Sequence, residues 1–86
     1  TPEVALCNKG RVLLLLKKYN AAQNALEQAT HIAPQLIDAH YLLAVTALQQ
    51  QNFSLASAAL EQTLFYAPEH QQAQQLLHTI QNKIAT

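Results

Sequence analysis

Apolar residues in this chain recur three and four positions apart, and nowhere in sustained strict alternation. That spacing sets them on one side of an α-helix and predicts an all-helical fold without strands. The clearest stripe is Ala73, Leu76, Leu77, Ile80 and Ile84, surrounded by Gln71, Gln72, Gln74, Gln75, His78, Gln81, Asn82 and Lys83. It predicts a helix from about Glu69 to Ile84 with one greasy face and one wet face. Helices are also predicted over Tyr19 to Ile32, with Ala22, Leu26 and Ala29 in line, and over Phe53 to Tyr66, with Ala56, Leu60 and Leu64 in line. Another, from about Gln35 to Gln50, has two apolar faces: Ala39, Leu43 and Ala47 on one, Ile37, Tyr41, Leu42, Val45 and Leu48 on the other. The first helix, about Pro2 to Leu16, is apolar nearly all round, and such a helix is normally covered on every side.

The boundaries have local causes. Thr1-Pro2-Glu3 suits a helix start: a hydroxyl that can cap, a proline in the first turn, an acid at the positive end of the dipole. Pro34 and Pro68 end the second and fourth helices, because proline lacks an N–H and disfavours helix in the residue before it. Lys17-Lys18 and Gln49 to Asn52 are read as turns, with Asn52 as the cap of the fourth helix. Gly10 inside the first helix costs about 1 kcal/mol relative to Ala, which predicts close approach of a neighbouring helix there.

The pattern is written twice. Tyr19 to Pro34 reads YNAAQNALEQATHIAP and Phe53 to Pro68 reads FSLASAALEQTLFYAP, and the aligned positions are 34 apart throughout. A fixed period of this length predicts stacked units of two helices each. The fifth helix then repeats the first helix of the unit and closes the stack with its wet face, as a terminal cap must.

Half of the 86 residues are apolar and the formal net charge is zero. The first figure permits a core and argues against intrinsic disorder. The second argues against nucleic-acid binding, which needs a basic face to neutralise phosphates. The longest apolar run, Val12 to Leu16, is far short of the ~20 residues of a membrane span. Cys7 is the single cysteine, so no internal disulfide forms and the compartment stays open, with the cytoplasm as default. The opening TPEVAL has no basic leader region and reads as part of a longer or processed chain, with any targeting signal outside it.

Two helices per 34 residues, small residues at fixed helical positions and a terminal proline resemble the tetratricopeptide repeat family, whose pattern is W-x2-L-G-x2-Y…A-x3-F…P. Repeat one spans Glu3 to Leu36, with Leu6 at the Trp place, Gly10 at the Gly place, Ala22-x3-Leu26 and Pro34. Repeat two spans Ile37 to His70, with His40 at the Trp place, Leu43-Ala44, Ala47 at the Tyr place, Ala56-x3-Leu60 and Pro68. Leu77 stands at the Leu place of the capping helix, whereas Lys9 departs from it and neither repeat has the Trp. The resemblance covers residues 3–84 and implies a single domain of antiparallel helical hairpins stacked as a right-handed α-solenoid of five helices. Gly10, Ala22, Ala44 and Ala56 would be small where paired helices cross, with Leu26, Leu60, Tyr19 and Phe53 filling behind them.

Chemistry finds little support. Catalysis needs a nucleophile or base and an orienting partner converging in one place. His40 sits at a core position, His31 and His70 flank the turn prolines as solvated residues, and His78 lies on the outer side of the cap helix. No HExxH or CxxC spacing occurs, and Cys7 reads as a small hydrophobe, so neither catalytic residues, metal nor cofactor is expected.

The resemblance instead implies a protein-binding scaffold or adaptor, in which the first helix of each unit lines a concave groove. The matching residues are Val4, Cys7, Arg11 and Leu14, then Asp38, Tyr41, Val45 and Leu48, then Gln72, Gln75 and Thr79. Family members that grip a C-terminal carboxylate use lysines, asparagines and arginine at places that hold Cys7, Arg11, Leu42, Gln72 and Leu76 here. Only Arg11 could do so, which points to an apolar or amphipathic partner segment instead. The apolar first helix is explained either by a preceding repeat or by a second copy of the chain in a homodimer. The contrasting expectation is a regulatory or appended domain of an enzyme whose catalytic part lies elsewhere.

Overall fold

The computed structural model describes residues 1–85, with the side chains of 84 and 85 outside the description. Five helices follow one another: α1 Pro2–Leu15, α2 Tyr19–Ile32, α3 Ile37–Gln49, α4 Phe53–Tyr66 and α5 Gln71–Ala85. Among the described residues there is no strand. Helices α1 and α2 pack as one hairpin and α3 and α4 as the next, while α2 lies against α3 and α4 against α5. The result is a slab of 39 × 26 × 17 Å, about two helices deep. No described helix is long and apolar enough to cross a membrane.

The core is built from alanine and leucine at the places the period picks out. Ala22, Leu26, Ala44, Ala56 and Leu60 have no exposed surface. The reason for the glycine is explicit: a Cβ on Gly10 would stand 2.5 Å from Cγ of Leu26 and 2.6 Å from its Cδ2. Leu26 therefore occupies the room a side chain at position 10 would need. Ala44 and Leu60 hold the corresponding places of the second hairpin.

Both hairpin turns use the same backbone device. After α1, the Lys18 N–H bonds the Leu13 carbonyl at 2.9 Å and the Lys17 N–H bonds that of Leu14 at 3.0 Å. After α3, Asn52 and Gln51 repeat the pattern to Ala47 and Leu48 at 2.8 and 3.0 Å. These are Schellman motifs, which satisfy orphan carbonyls through one left-handed residue. That residue is Lys17 at φ 62° and Gln51 at φ 58°, where glycine is usual. Polar runs mark these turns in the sequence, but they carry no sign of the left-handed geometry.

The joints between units also repeat. Ala33 and Ala67 have left the helical region before their prolines, with φ of −132° and −137°. The Leu36 N–H then bonds the Ala33 carbonyl, and His70 does the same to Ala67, both at 3.0 Å. These tight turns delay the next helix, so α3 starts at Ile37 and α5 at Gln71, two residues later than the pattern predicts in each case. The His40 ring Nε2 donates to the Pro34 carbonyl at 2.6 Å, and the Gln74 amide donates to the Pro68 carbonyl at 2.6 Å. Residues 34 apart thus satisfy the same carbonyl, the proline's own, with different chemistry. His40 is buried as expected for its place, and its ring also stacks on Tyr66 at 6.0 Å.

Caps differ from one start to the next. Asn52 Oδ1 accepts from the Leu55 N–H at 3.2 Å, as its residue type predicts. Thr1 makes no side-chain cap bond. His70, expected to be solvated, is half-buried: its Nδ1 accepts the Ala73 N–H at 3.1 Å and its ring packs on Tyr41 at 5.0 Å. An imidazole can fill the cap place because its unprotonated nitrogen accepts like a carboxylate oxygen.

Two substitutions check this account. Gly10→Ala should gain about 1 kcal/mol of helix propensity but lose about 1–3 kcal/mol to overpacking against the fully buried Leu26, for a net loss in urea unfolding. Lys17→Gly and Gln51→Gly should each stabilise the chain by about 0.5–1 kcal/mol, since left-handed strain in an exposed turn outweighs the added freedom of the unfolded chain. A loss of stability at either turn would show that the side chain there does more than tolerate its backbone.

Candidate protein-binding groove

The first helices of the units carry the residues singled out in the sequence. On α1, Val4 and Arg11 are exposed and Leu14 is half-buried. On α3, Asp38 is exposed, while Tyr41, Val45 and Leu48 are half-buried. On α5, Gln72, Gln75 and Thr79 are exposed, with the Thr79 hydroxyl donating back to the Gln75 carbonyl at 2.9 Å. Cys7 is 4% exposed and belongs to the core cluster, so it lies beneath the surface formed by the others.

Three contacts join these residues across elements. The Arg11 guanidinium and the Asp38 carboxylate meet at 3.9 Å between α1 and α3. Arg11 also donates to the Asn8 side chain at 3.0 Å, which aims it along α1. With both partners about half exposed or more, the ion pair contributes orientation more than stability. Towards the hairpin turn, Leu14 of α1 and Val45 of α3 share an open depression with Leu15, Lys17, Tyr19 and Gln49. At the opposite end of α3, Tyr41 rests on His70, the cap of α5. The chemistry along this path is therefore a neutralised charge pair, a short apolar row and a polar α5.

His70 is the residue that pattern reading missed. Its signal was its place: it stands 34 residues after Leu36, at the last position before a helix. Leu36 can offer nothing to the free N–H groups of α3, whereas His70 satisfies one of α5 and supports Tyr41 at the same time.

Burial pushes the Cys7 thiol above its ordinary value, with Arg11 opposing slightly and Asp38 adding to the rise. At neutral pH it is a thiol, and a thiol is a weak nucleophile. This matches a packing role. Among the described residues, no three His, Cys, Asp or Glu side chains are grouped to hold a metal ion.

A stack of helical hairpins with a repeating joint defines a helical-repeat protein. A sequence profile of the tetratricopeptide repeat family matches residues 13–80, and the chain belongs to that family. Five helices fit two repeats and a capping helix, and members of the family generally mediate protein–protein interaction and are typically non-catalytic. The match begins near the end of α1, so most of the apolar first helix lies outside it. No curated protein shows significant similarity to the chain.

Native Cys7 should react with an aromatic disulfide reagent at least roughly tenfold more slowly than the urea-unfolded chain, because attack needs both access and a thiolate. The raised folded pKa fixes the sign of the pH effect. The thiol's contribution to stability is complete below the unfolded value near pH 9 and is lost as pH rises from there through the folded value. Chemical denaturation from pH 7 to 10.5 should show that decline in the parent and less of it in Cys7→Ala, measured against each protein's own neutral value.

Proposed function

We propose that the chain is a protein–protein interaction module that takes an apolar or amphipathic peptide segment along the surface of α1 and α3, with α5 as its polar wall. The observation that carries this reading is the row Leu14, Val45, Tyr41 and Leu48. These are large apolar or aromatic side chains left half-buried while the small residues around them are fully buried. Half-buried aromatic and aliphatic groups beside a polar rim are what a peptide-binding surface needs, because the gain comes from removing their remaining apolar area from water.

The charged points support an uncharged contact. Arg11 and Asp38 already face each other, so a free carboxylate would have to compete with Asp38 for the guanidinium. An amphipathic segment can cover the apolar row and leave that pair at the rim. Gln72, Gln75 and Thr79 then offer hydrogen bonds to a backbone or polar side chain on the α5 side.

The test is selection of peptides from a random library, followed by amide chemical-shift mapping. Binders should perturb α1 and α3 ahead of α2 and α4. Val45→Asp should weaken them by at least roughly tenfold, as one buried apolar contact and a desolvated charge imply, with the helical circular dichroism unchanged. Asn24→Asp, on the exposed side of α2, should leave affinity within about twofold. Peptides that bind Val45→Asp as well as the parent, or that map to α2 and α4, would place the binding surface elsewhere.

A further inference from the structure

The 34-residue period sets Ala5, Val12 and Leu16 where the next unit has Ala39, Thr46 and Gln50, and where α5 has Ala73 and Ile80. On α3 and α5 this face is closed. Ala39, Thr46 and Ala73 have no exposed surface and Ile80 has 1%. The helix that closes it is each time the second helix of the preceding unit, α2 against α3 and α4 against α5. At α1 the same face is open, with Val12 at 54% and Leu16 at 59% exposure, beside Leu15 at 76% and Val4 at 47%. It has kept apolar residues although nothing in the chain covers them.

We infer that this face of α1 is a docking surface for a helix of the α2 and α4 type, supplied by a further repeat unit preceding α1 in the same polypeptide. The occupant's chemistry follows from the two examples present. Ala22, Ala25, Leu26 and Ala29 are the buried positions of α2, and Ala56, Ala59, Leu60 and Thr63 are those of α4. The occupant is thus a helix of the same buried pattern, small at i, i+3 and i+7, whose leucine at i+4 turns to its own hairpin partner as Leu26 does to Gly10. It differs in one place. The Gln50 amide donates to Asn20 Oδ1 at 2.7 Å across the α2–α3 contact, and Leu16 stands at the Gln50 place. Leucine can make no such bond, so the occupant carries an apolar residue where α2 has Asn20.

A second copy fits less well. The faces of its own α2 and α4 that would match are already closed by α3 and α5. A two-fold contact of α1 with α1 offers Val4, Ala5, Val12, Leu15 and Leu16 from each side, against roughly 20–30 residues a side in stable interfaces.

The docking face borders the peptide-binding surface at Val4 and Leu15, so its test rests on Val12 and Leu16, which lie outside that surface. A further copy of residues 3–36, carrying Asn20→Leu, is fused directly ahead of Glu3, which continues the period. The extended chain should melt above the 86-residue chain at every protein concentration, and amide exchange in the original α1 should slow by at least roughly tenfold. Val12→Glu at the original position should barely move the melting point of the 86-residue chain, where the side chain is half exposed, and should lower that of the extended chain clearly. Should the extended chain not fold, a synthetic helix of residues 17–34 with Asn20→Leu is titrated instead. Methyl shifts at Val12 and Leu16 support the inference, and their absence at millimolar peptide overturns it. Equal melting and exchange in the folded extended chain also overturn it. So does an 86-residue chain that sediments as a dimer and is split by Val12→Glu, since a second copy would then be the occupant.

Discussion

Within each hairpin a leucine of the second helix fills a gap that the first helix leaves by having almost no side chain. Leu26 sits so close to Gly10 that a methyl group added there would force it to shift, and both residues are buried. Helix separation is set by the residues at the crossing, so this one contact fixes how near α1 and α2 lie. Ala44 and Leu60 take the corresponding places in the second hairpin, both without exposed surface. A core made of alanine and single leucines holds because the backbones come close enough for dispersion contacts to replace side-chain volume. The arrangement has little slack, since every small residue is a limit on its neighbour.

Near-identical hairpins need near-identical joints to stack, and the joints are where proline is put to use. Pro34 and Pro68 stop a helix, force the residue before them out of helical backbone, and carry their own carbonyls into the joint, beyond the helix ladder. His40 and Gln74 each reach back six residues to that carbonyl. The bond ties the first turn of the next helix to the end of the last one, and so holds the angle between units. That angle presents α3 beside α1 and brings Asp38 to Arg11. The surface read as protein-binding is therefore a product of the joint and belongs to no single helix.

Two of the apolar surfaces on the molecule, both on the first helices of the units, have different origins. The half-buried row on α1 and α3 is left over after the hairpins have closed, and two of its residues, Tyr41 and Leu48, pack against the core. The open side of α1 is centred on Ala5 and Val12, positions that the repeat closes wherever a preceding second helix is present. The first suits a partner that comes and goes, because little area is at stake. The second suits a permanent neighbour, because an exposed patch of five apolar residues is a standing risk of aggregation.

The sequence alone determined the helices, their number, the period and the core positions, because helical spacing and proline act locally and need no knowledge of the rest of the chain. It also pointed to a tight crossing at Gly10, since an unexplained glycine inside a helix needs a reason. Tertiary structure decided the rest. Lys17 and Gln51 look like ordinary polar turn residues, and only the closing of the hairpins puts them in left-handed backbone. His70 looked solvated beside its proline, and only the docking of α5 onto α4 brought its ring to Tyr41 and its nitrogen to the Ala73 N–H. Cys7, aligned with the groove by the repeat, was carried into the core by the packing of α1 against its neighbours. In each case the deciding partner lies on another element or in a turn that forms only when two helices meet, and a pattern read along one chain direction contains no such distance.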